Sequence, residues 1–85
     1  MKISVLGLGY VGAVSAACLA QEGHEVIGVD PEPGKVDLIN AGHTPIIEKD
    51  VGPMIERQVA AGRVRATAVV AWAVGQCDLR LVCVG

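Results

Sequence analysis

Apolar positions along this chain follow two rhythms in alternation. Residues 2–6, 25–29 and 79–84 are short, nearly continuous apolar runs, with a briefer one at 64–66. They carry the Val, Ile and Leu content of strands covered on both faces. The stretches between them space their apolar residues as helices do. In residues 10–22, Val11, Val14 and Cys18 fall at i, i+3 and i+7 and are expected to face the core. Ala13, Ala16 and Ala17 allow close approach there, and Gly23 is the expected left-handed stop. Pro31 and Pro33 introduce a second helix over residues 34–40, with Val36, Leu38 and Ile39 as its candidate inward positions and Gly42 at its end. Residues 43–49 read as a loop around Pro45. Asp50 then stands as the N-cap of a third helix, which keeps Pro53 in its first turn, turns Met54, Ile55 and Val59 inward, and stops at Gly62. Thr67 is the candidate cap of a fourth helix over 69–75.

Strands that alternate with helices and join by right-handed crossovers predict an α/β fold with a parallel sheet of order 3-2-1-4. This is the first half of a doubly wound, Rossmann-type domain. The crevice of such a sheet opens where strand order reverses, between the carboxyl ends of strands 1 and 4, and Gly85 is expected on it. Strand 4 is apolar and would form an uncovered edge. Residues 1–85 are therefore expected to be the N-terminal part of a longer protein, with its remaining domains absent.

Composition narrows the chemistry. The 85 residues are 52% hydrophobic with only Tyr10 and Trp72 as aromatics, so the core must be built from Val, Ile, Leu and Ala. A formal net charge of −2 provides no basic footprint for nucleic acid or for an anionic membrane surface. Lys2 followed by apolar residues up to Cys18 superficially resembles a signal peptide, but three glycines interrupt the stretch. Cys18, Cys77 and Cys83 lack metal-ligand spacing and are expected to be reduced, buried thiols of a cytoplasmic protein. No metal site and no catalytic residue is expected in this segment. His24 and His43 have no partner at a usable spacing and read as turn residues.

The chemistry gathers where the first run ends. Gly7-Leu8-Gly9-Tyr10-Val11-Gly12 joins the first strand to the first helix, and the second strand stops at Asp30, 18 residues beyond Gly12. Strand, glycine turn, helix, strand and acid in that order form a dinucleotide-binding fingerprint. Gly7 lets the strand turn tightly, Gly9 admits a pyrophosphate to the backbone, and Gly12 lets the helix approach the sheet. Amides and the positive dipole end of the helix then hold phosphate without a cationic side chain. Asp30 is placed to accept from a ribose diol. Its charge and that of Glu32, with no arginine after the second strand, point to NAD rather than NADP.

The Tyr-Val pair between glycines is more particular than the general fingerprint. Together with Gly23-His24-Glu25-Val26, Gly28-Val29-Asp30, Lys35-Val36-x-x-Ile39-Asn40-x-Gly42, Pro45-Ile46-Ile47-Glu48 and Val82-Cys83-Val84-Gly85, it resembles the UDP-glucose/GDP-mannose dehydrogenase family along the whole chain. Gly-Leu-Gly-Tyr-Val-Gly-Ala-Val and Val-Asp-Leu-Ile-Asn look closer to the GDP-mannose branch. The resemblance implies a cytoplasmic, NAD-dependent, homo-oligomeric enzyme that oxidises the C6 alcohol of a nucleotide sugar to a carboxylate, GDP-mannose before UDP-glucose. It implies that Tyr10 and Val11 lie beside the pyrophosphate, Asp30 on the adenosine ribose and Lys35 near that ribose. The family's catalytic cysteine and lysine belong to a later domain, and Cys18, Cys77 and Cys83 do not match that cysteine. Glu48-Lys49-Asp50-Val51 replaces the family's Glu-Pro-Gly-Leu, and Val69 replaces an aspartate; Trp72 and Arg80 are unusual too.

Two other readings remain: a nucleotide-sensing regulatory module built on the same half-fold, and a different NAD(P) dehydrogenase such as a hydroxyacid type. The region from Lys35 to Glu48 separates the sensor from the enzyme, because a sensor has no use for that helix and proline loop. Glu48 itself reads equally as a loop-capping or solvated carboxylate. Arg80 either pairs with Asp78 or Glu25 or extends outward.

Overall fold

The computed structural model describes residues 1–43 and 50–83. Its elements are β1 (Lys2–Leu6), α1 (Tyr10–Gln21), β2 (Glu25–Val29), α2 (Pro33–Asn40), α3 (Val51–Ala60), β3 (Val64–Thr67), α4 (Val70–Gln76) and β4 (Leu79–Val82). The four strands form one sheet of order β3-β2-β1-β4, and every pair is parallel. Fold class and strand order are those the sequence predicts.

Register decides which residues share a face. Ile3 stands level with Val26 and Leu79, and Val5 with Gly28 and Leu81, while Val26 and Gly28 meet Val64 and Ala66. These residues line one face, and α1, α2 and α3 cover its β1–β3 part. Ile3, Val5, Val26, Val64 and Ala66 bury there with Ile39 of α2, Val51 and Ile55 of α3, and the alanines of α1. Burying one branched aliphatic side chain in this way contributes roughly 1.5–3 kcal/mol. The opposite face holds a smaller cluster, Ile27 and Val29 under Ala73 of α4, with Leu6 and Cys77 at its margin. On the edge strand β4, Leu79, Leu81 and Val82 remain exposed, as do Val69, Val70 and Trp72 around α4.

Two helix expectations change. The inward face of α1 is Gly12, Ala13, Ala16, Ala17 and Ala20. Val11 and Cys18 are exposed and Val14 only partly buried. Close approach of α1 to the sheet selects the smallest side chains and turns the larger ones outward, so a rule that assigns the largest apolar residues to the core picks the wrong side. In α2, Ile39 is buried and Leu38 is exposed. The expected set of buried cysteines fails at Cys18, whereas Cys77 and Cys83 are half-buried; all three are free thiols.

Helix ends follow their residues closely. The helices α1, α2 and α3 each end two residues before a glycine of positive φ: Gly23, Gly42 and Gly62. Asp50 occupies the N-cap position of α3 without a side-chain capping bond. The Thr67 hydroxyl accepts from the Val69 N–H at 3.1 Å, and α4 begins one residue later than expected, at Val70. Asn40, at the end of α2, grips the outer strand: its Oδ1 accepts from the Ala66 N–H at 2.8 Å and its Nδ2 donates to the Ala66 carbonyl at 3.0 Å. A carboxamide thus takes the place of a further strand along the edge of β3.

Candidate nucleotide-binding site

Two turns meet at the carboxyl ends of the central strands. The first, Gly7 to Gly9, carries β1 into α1. Gly7 has φ of +104°, and its N–H donates to the Val29 carbonyl at 2.7 Å, so the chain bends while still tied to β2. A Cβ on Gly7 would come within 2.2 Å of the Cys83 carbonyl oxygen, because β4 closes from the other side with the Cys83 N–H on the Leu6 carbonyl at 2.8 Å. A Cβ on Gly12 would fall 1.7 Å from the Gly7 carbonyl oxygen. These two glycines are required by the protein's own backbone. Gly9 differs, since it caps α1 with φ −74° and ψ −160°, an extended conformation open to other residues.

Leu8, between the glycines, points inward and is fully buried. Its place exists because residue 28 has no side chain; a Cβ there would lie 2.6 Å from Leu8 Cδ2. Leu8 therefore offers a ligand no side-chain contact. Tyr10 and Val11, by contrast, are 58% and 53% exposed at the start of α1. The first intrahelical bond there runs from the Ala13 N–H to the Gly9 carbonyl at 2.9 Å. The amides of a helix's first turn have no partner inside the helix and, with its dipole, favour an anion at this end.

The second turn begins at Asp30, which is 7% exposed. Its Oδ2 accepts from the Leu8 N–H at 3.0 Å and its Oδ1 from the Glu32 N–H at 2.9 Å. Asp30 thereby ties the glycine turn to the start of α2. Lys35 Nζ lies 3.9 Å from Asp30 Oδ2 and 3.8 Å from Glu32 Oε2. Burial alone would raise the Asp30 pKa, but the Leu8 and Glu32 amides and the Lys35 ammonium outweigh it and hold the carboxyl below its ordinary value. Each carboxylate oxygen keeps acceptor capacity beyond its amide bond.

The predicted residues thus fall into three groups. Gly7, Gly9 and Gly12 with Tyr10 and Val11 form the turn and helix start, Asp30 and Lys35 stand beside it, and the Leu8 side chain belongs to the core. Sequence reasoning missed the Leu8–Asp30 bond and the role of Gly28, although a glycine inside a strand is a sign of close approach. Of the pairings expected for Arg80, neither forms: the Lys2 ammonium lies 3.9 Å from Glu25, and Asp78 accepts from the Lys2 N–H at 3.2 Å. Burial pushes the Cys77 thiol pKa up, against a hydrogen bond with Ser4. Among the described residues there is no group of side chains that could hold a metal and no helix long and apolar enough to cross a membrane. The expected proline–glutamate loop with Glu48 and the expected place of Gly85 on the crevice both fall on residues outside those described.

Comparison with known proteins agrees with this geometry. Residues 1–85 match the NAD binding domain of the UDP-glucose/GDP-mannose dehydrogenase family. The chain is 49% identical over its full length to a GDP-mannose 6-dehydrogenase of Pseudomonas putida, covering 19% of that protein. It is 39% identical to a UDP-glucose 6-dehydrogenase of Rhizobium meliloti, covering 20% of it. A solved structure of GDP-mannose dehydrogenase from Pseudomonas aeruginosa superimposes on the whole chain with a TM-score of 0.97 at 47% identity, over 20% of that chain. The chain therefore spans about a fifth of the length of these relatives. In fold, in glycine turn and in matched sequence, it belongs to the UDP-glucose/GDP-mannose dehydrogenase family as an NAD-binding domain.

Proposed function

We propose that residues 1–85 form the N-terminal NAD-binding portion of a longer nucleotide-sugar 6-dehydrogenase, with GDP-mannose as the favoured substrate and GDP-mannuronate as its product. The observation that carries this reading is an identity of 49% over the 85 residues to a GDP-mannose 6-dehydrogenase, against 39% to a UDP-glucose 6-dehydrogenase, and UDP-glucose is the second reading. The nucleotide sugar would be bound mainly by the rest of the protein.

The geometry supports a particular set of cofactor contacts. Pyrophosphate would rest on the Gly9 backbone and the first turn of α1, beside Tyr10 and Val11. Asp30 would accept from the adenosine ribose hydroxyls, with Lys35 at its edge. Gly7 and Gly12 fit a cradle whose walls are backbone, since side chains on them would collide with the Cys83 and Gly7 carbonyls. Bound NAD would supply the hydride acceptor for oxidation of the sugar alcohol. This chain's own contribution is to bind and orient the adenosine half; the nucleophile lies elsewhere in the protein. We further propose that the parent protein is a cytoplasmic homo-oligomer.

The test is NADH formation by purified full-length protein with NAD and either GDP-mannose or UDP-glucose. Turnover with GDP-mannose well ahead of UDP-glucose supports the reading. Turnover with UDP-glucose alone moves it to the second substrate, and NAD binding without turnover on any nucleotide sugar refutes it in favour of a sensing module.

A further inference from the structure

The expected preference for NAD over NADP rests on the charges of Asp30 and Glu32 and on the lack of an arginine after β2. The structure sets a lysine against both carboxylates. Lys35 Nζ lies 3.9 Å from Asp30 Oδ2 and 3.8 Å from Glu32 Oε2, between two carboxylates and in the first turn of α2. Its side chain is about one-third exposed, while that of Asp30 is nearly enclosed, so the ammonium stands on the solvent side of the Asp30 carboxylate. Two carboxylates and one ammonium leave the trio with a net charge of −1, which opposes a phosphate dianion. Without the charge of Asp30 the balance becomes neutral, and three ammonium N–H donors stand where a 2′-phosphate would arrive.

We propose that Lys35 is a masked phosphate-binding cation, and that the site rejects a 2′-phosphorylated dinucleotide because Asp30 and Glu32 keep Lys35 paired. Lys35 then acts as a specificity-determining residue whose effect depends on its partners. This rests on the NAD-binding reading above. It differs from simple repulsion by Asp30 in one respect: removing a carboxylate should create NADP affinity that depends on Lys35.

Direct titration of the full-length protein with NADH and NADPH, followed by nucleotide fluorescence, tests this in the wild type, Asp30→Asn and Glu32→Gln, each with and without Lys35→Met. Asp30→Asn should weaken NADH and strengthen NADPH by at least about tenfold, which is ~1.4 kcal/mol. Glu32→Gln should give a smaller gain, and Lys35→Met should erase both gains. Glu32→Gln alone carries the test if Asp30→Asn does not fold, because the Glu32 side chain is exposed and its ion pair is with Lys35. An unchanged NADPH affinity in the folded carboxylate variants overturns the proposal, and so does a gain that survives Lys35→Met. Wild-type protein that fails to bind NADH overturns the NAD reading and this proposal together, whereas NADH binding with unresponsive variants overturns this proposal only.

Discussion

The β1–β3 region under α1, α2 and α3 differs sharply from the β4–α4 side. In the first, Val5, Leu8, Ala17, Ala20 and Ile55 have no exposed surface, and glycines touch backbone from neighbouring elements. In the second, a seven-residue helix covers Ile27 and Val29 through Ala73, while Leu79, Leu81 and Val82 of β4 face outward. The candidate site draws on the packed region almost entirely. Leu8 is at once a core residue and the link to Asp30, and Gly12 is both the first turn of α1 and its contact with Gly7. Most residues of the candidate site therefore serve the fold as well, and the β4–α4 side contributes little to it.

The largest expected effect comes from Gly12→Val. The added Cβ would sit on the Gly7 carbonyl, so α1 must leave the sheet, and a loss of more than about 4 kcal/mol is expected, enough to abolish cooperative unfolding in a urea titration. Gly9→Val should behave otherwise, because its backbone is extended, a conformation that does not require glycine. It should abolish NAD binding in calorimetry with little change in the urea midpoint. Equal midpoint losses for the two variants would remove the distinction between a glycine needed by the fold and one needed by the ligand.

Ile55→Ala comes next. Ile55 is fully buried between α3 and the α1 side of the sheet, and truncation there should cost about 2–5 kcal/mol through lost burial and a residual cavity. A loss below about 1 kcal/mol would mean that this face is as loosely packed as the other.

Much of this division was legible in the sequence, for particular reasons. The bounds of β1 and β2 are marked by glycine turns and Asp30, and both strands match to the residue. The three glycines and Asp30 are brought together as their spacing implies. What could not be read depends on contacts between distant residues. The face of α1 was misassigned because its closeness to the sheet, which favours alanine over valine, is a tertiary property. Burial of Leu8 depends on Gly28, twenty positions away, and the Asn40 bonds to Ala66 depend on which strand ends up at the edge. Spacing alone marks the Asp30 carboxylate as a ligand acceptor, and its role in holding Leu8 and Glu32 emerges only when the two turns meet.

Asp30 supplies the third prediction, of intermediate size. Its folded-state pKa lies below the ordinary value, so its contribution to stability is present above the unfolded-state pKa and is lost as pH falls through the folded one. Asp30→Asn should cost about 1–3 kcal/mol near neutral pH, since at least one amide loses its acceptor. The gap from wild type should begin to narrow as the unfolded chain's carboxyl takes up its proton, and should close only at the lower pH where the folded carboxyl is protonated as well. A gap constant down to the acid transition would show that the carboxylate charge does not support the two turns.

The smallest effect sharpens the comparison with one substitution made in two neighbouring strands. Threonine matches valine in shape and strand preference but places a hydroxyl where valine has a methyl group. At Val5, fully buried on β1, that hydroxyl would be desolvated among Ile3, Val26 and the α1 alanines, and Val5→Thr should cost about 1–3 kcal/mol. At Val82, 65% exposed on β4, the hydroxyl stays in water, and Val82→Thr should change stability by less than about 0.5 kcal/mol. Val82 pairs with Leu6, the residue after Val5, so the two sites are close in the sheet but differ in face and in strand, Val5 on a central strand and Val82 on the edge. The difference between the urea midpoints then measures the contrast between the two sides. If Val82→Thr costs as much as Val5→Thr, the β4 edge is covered in the working protein, and the contrast between the two sides belongs to the 85-residue chain alone.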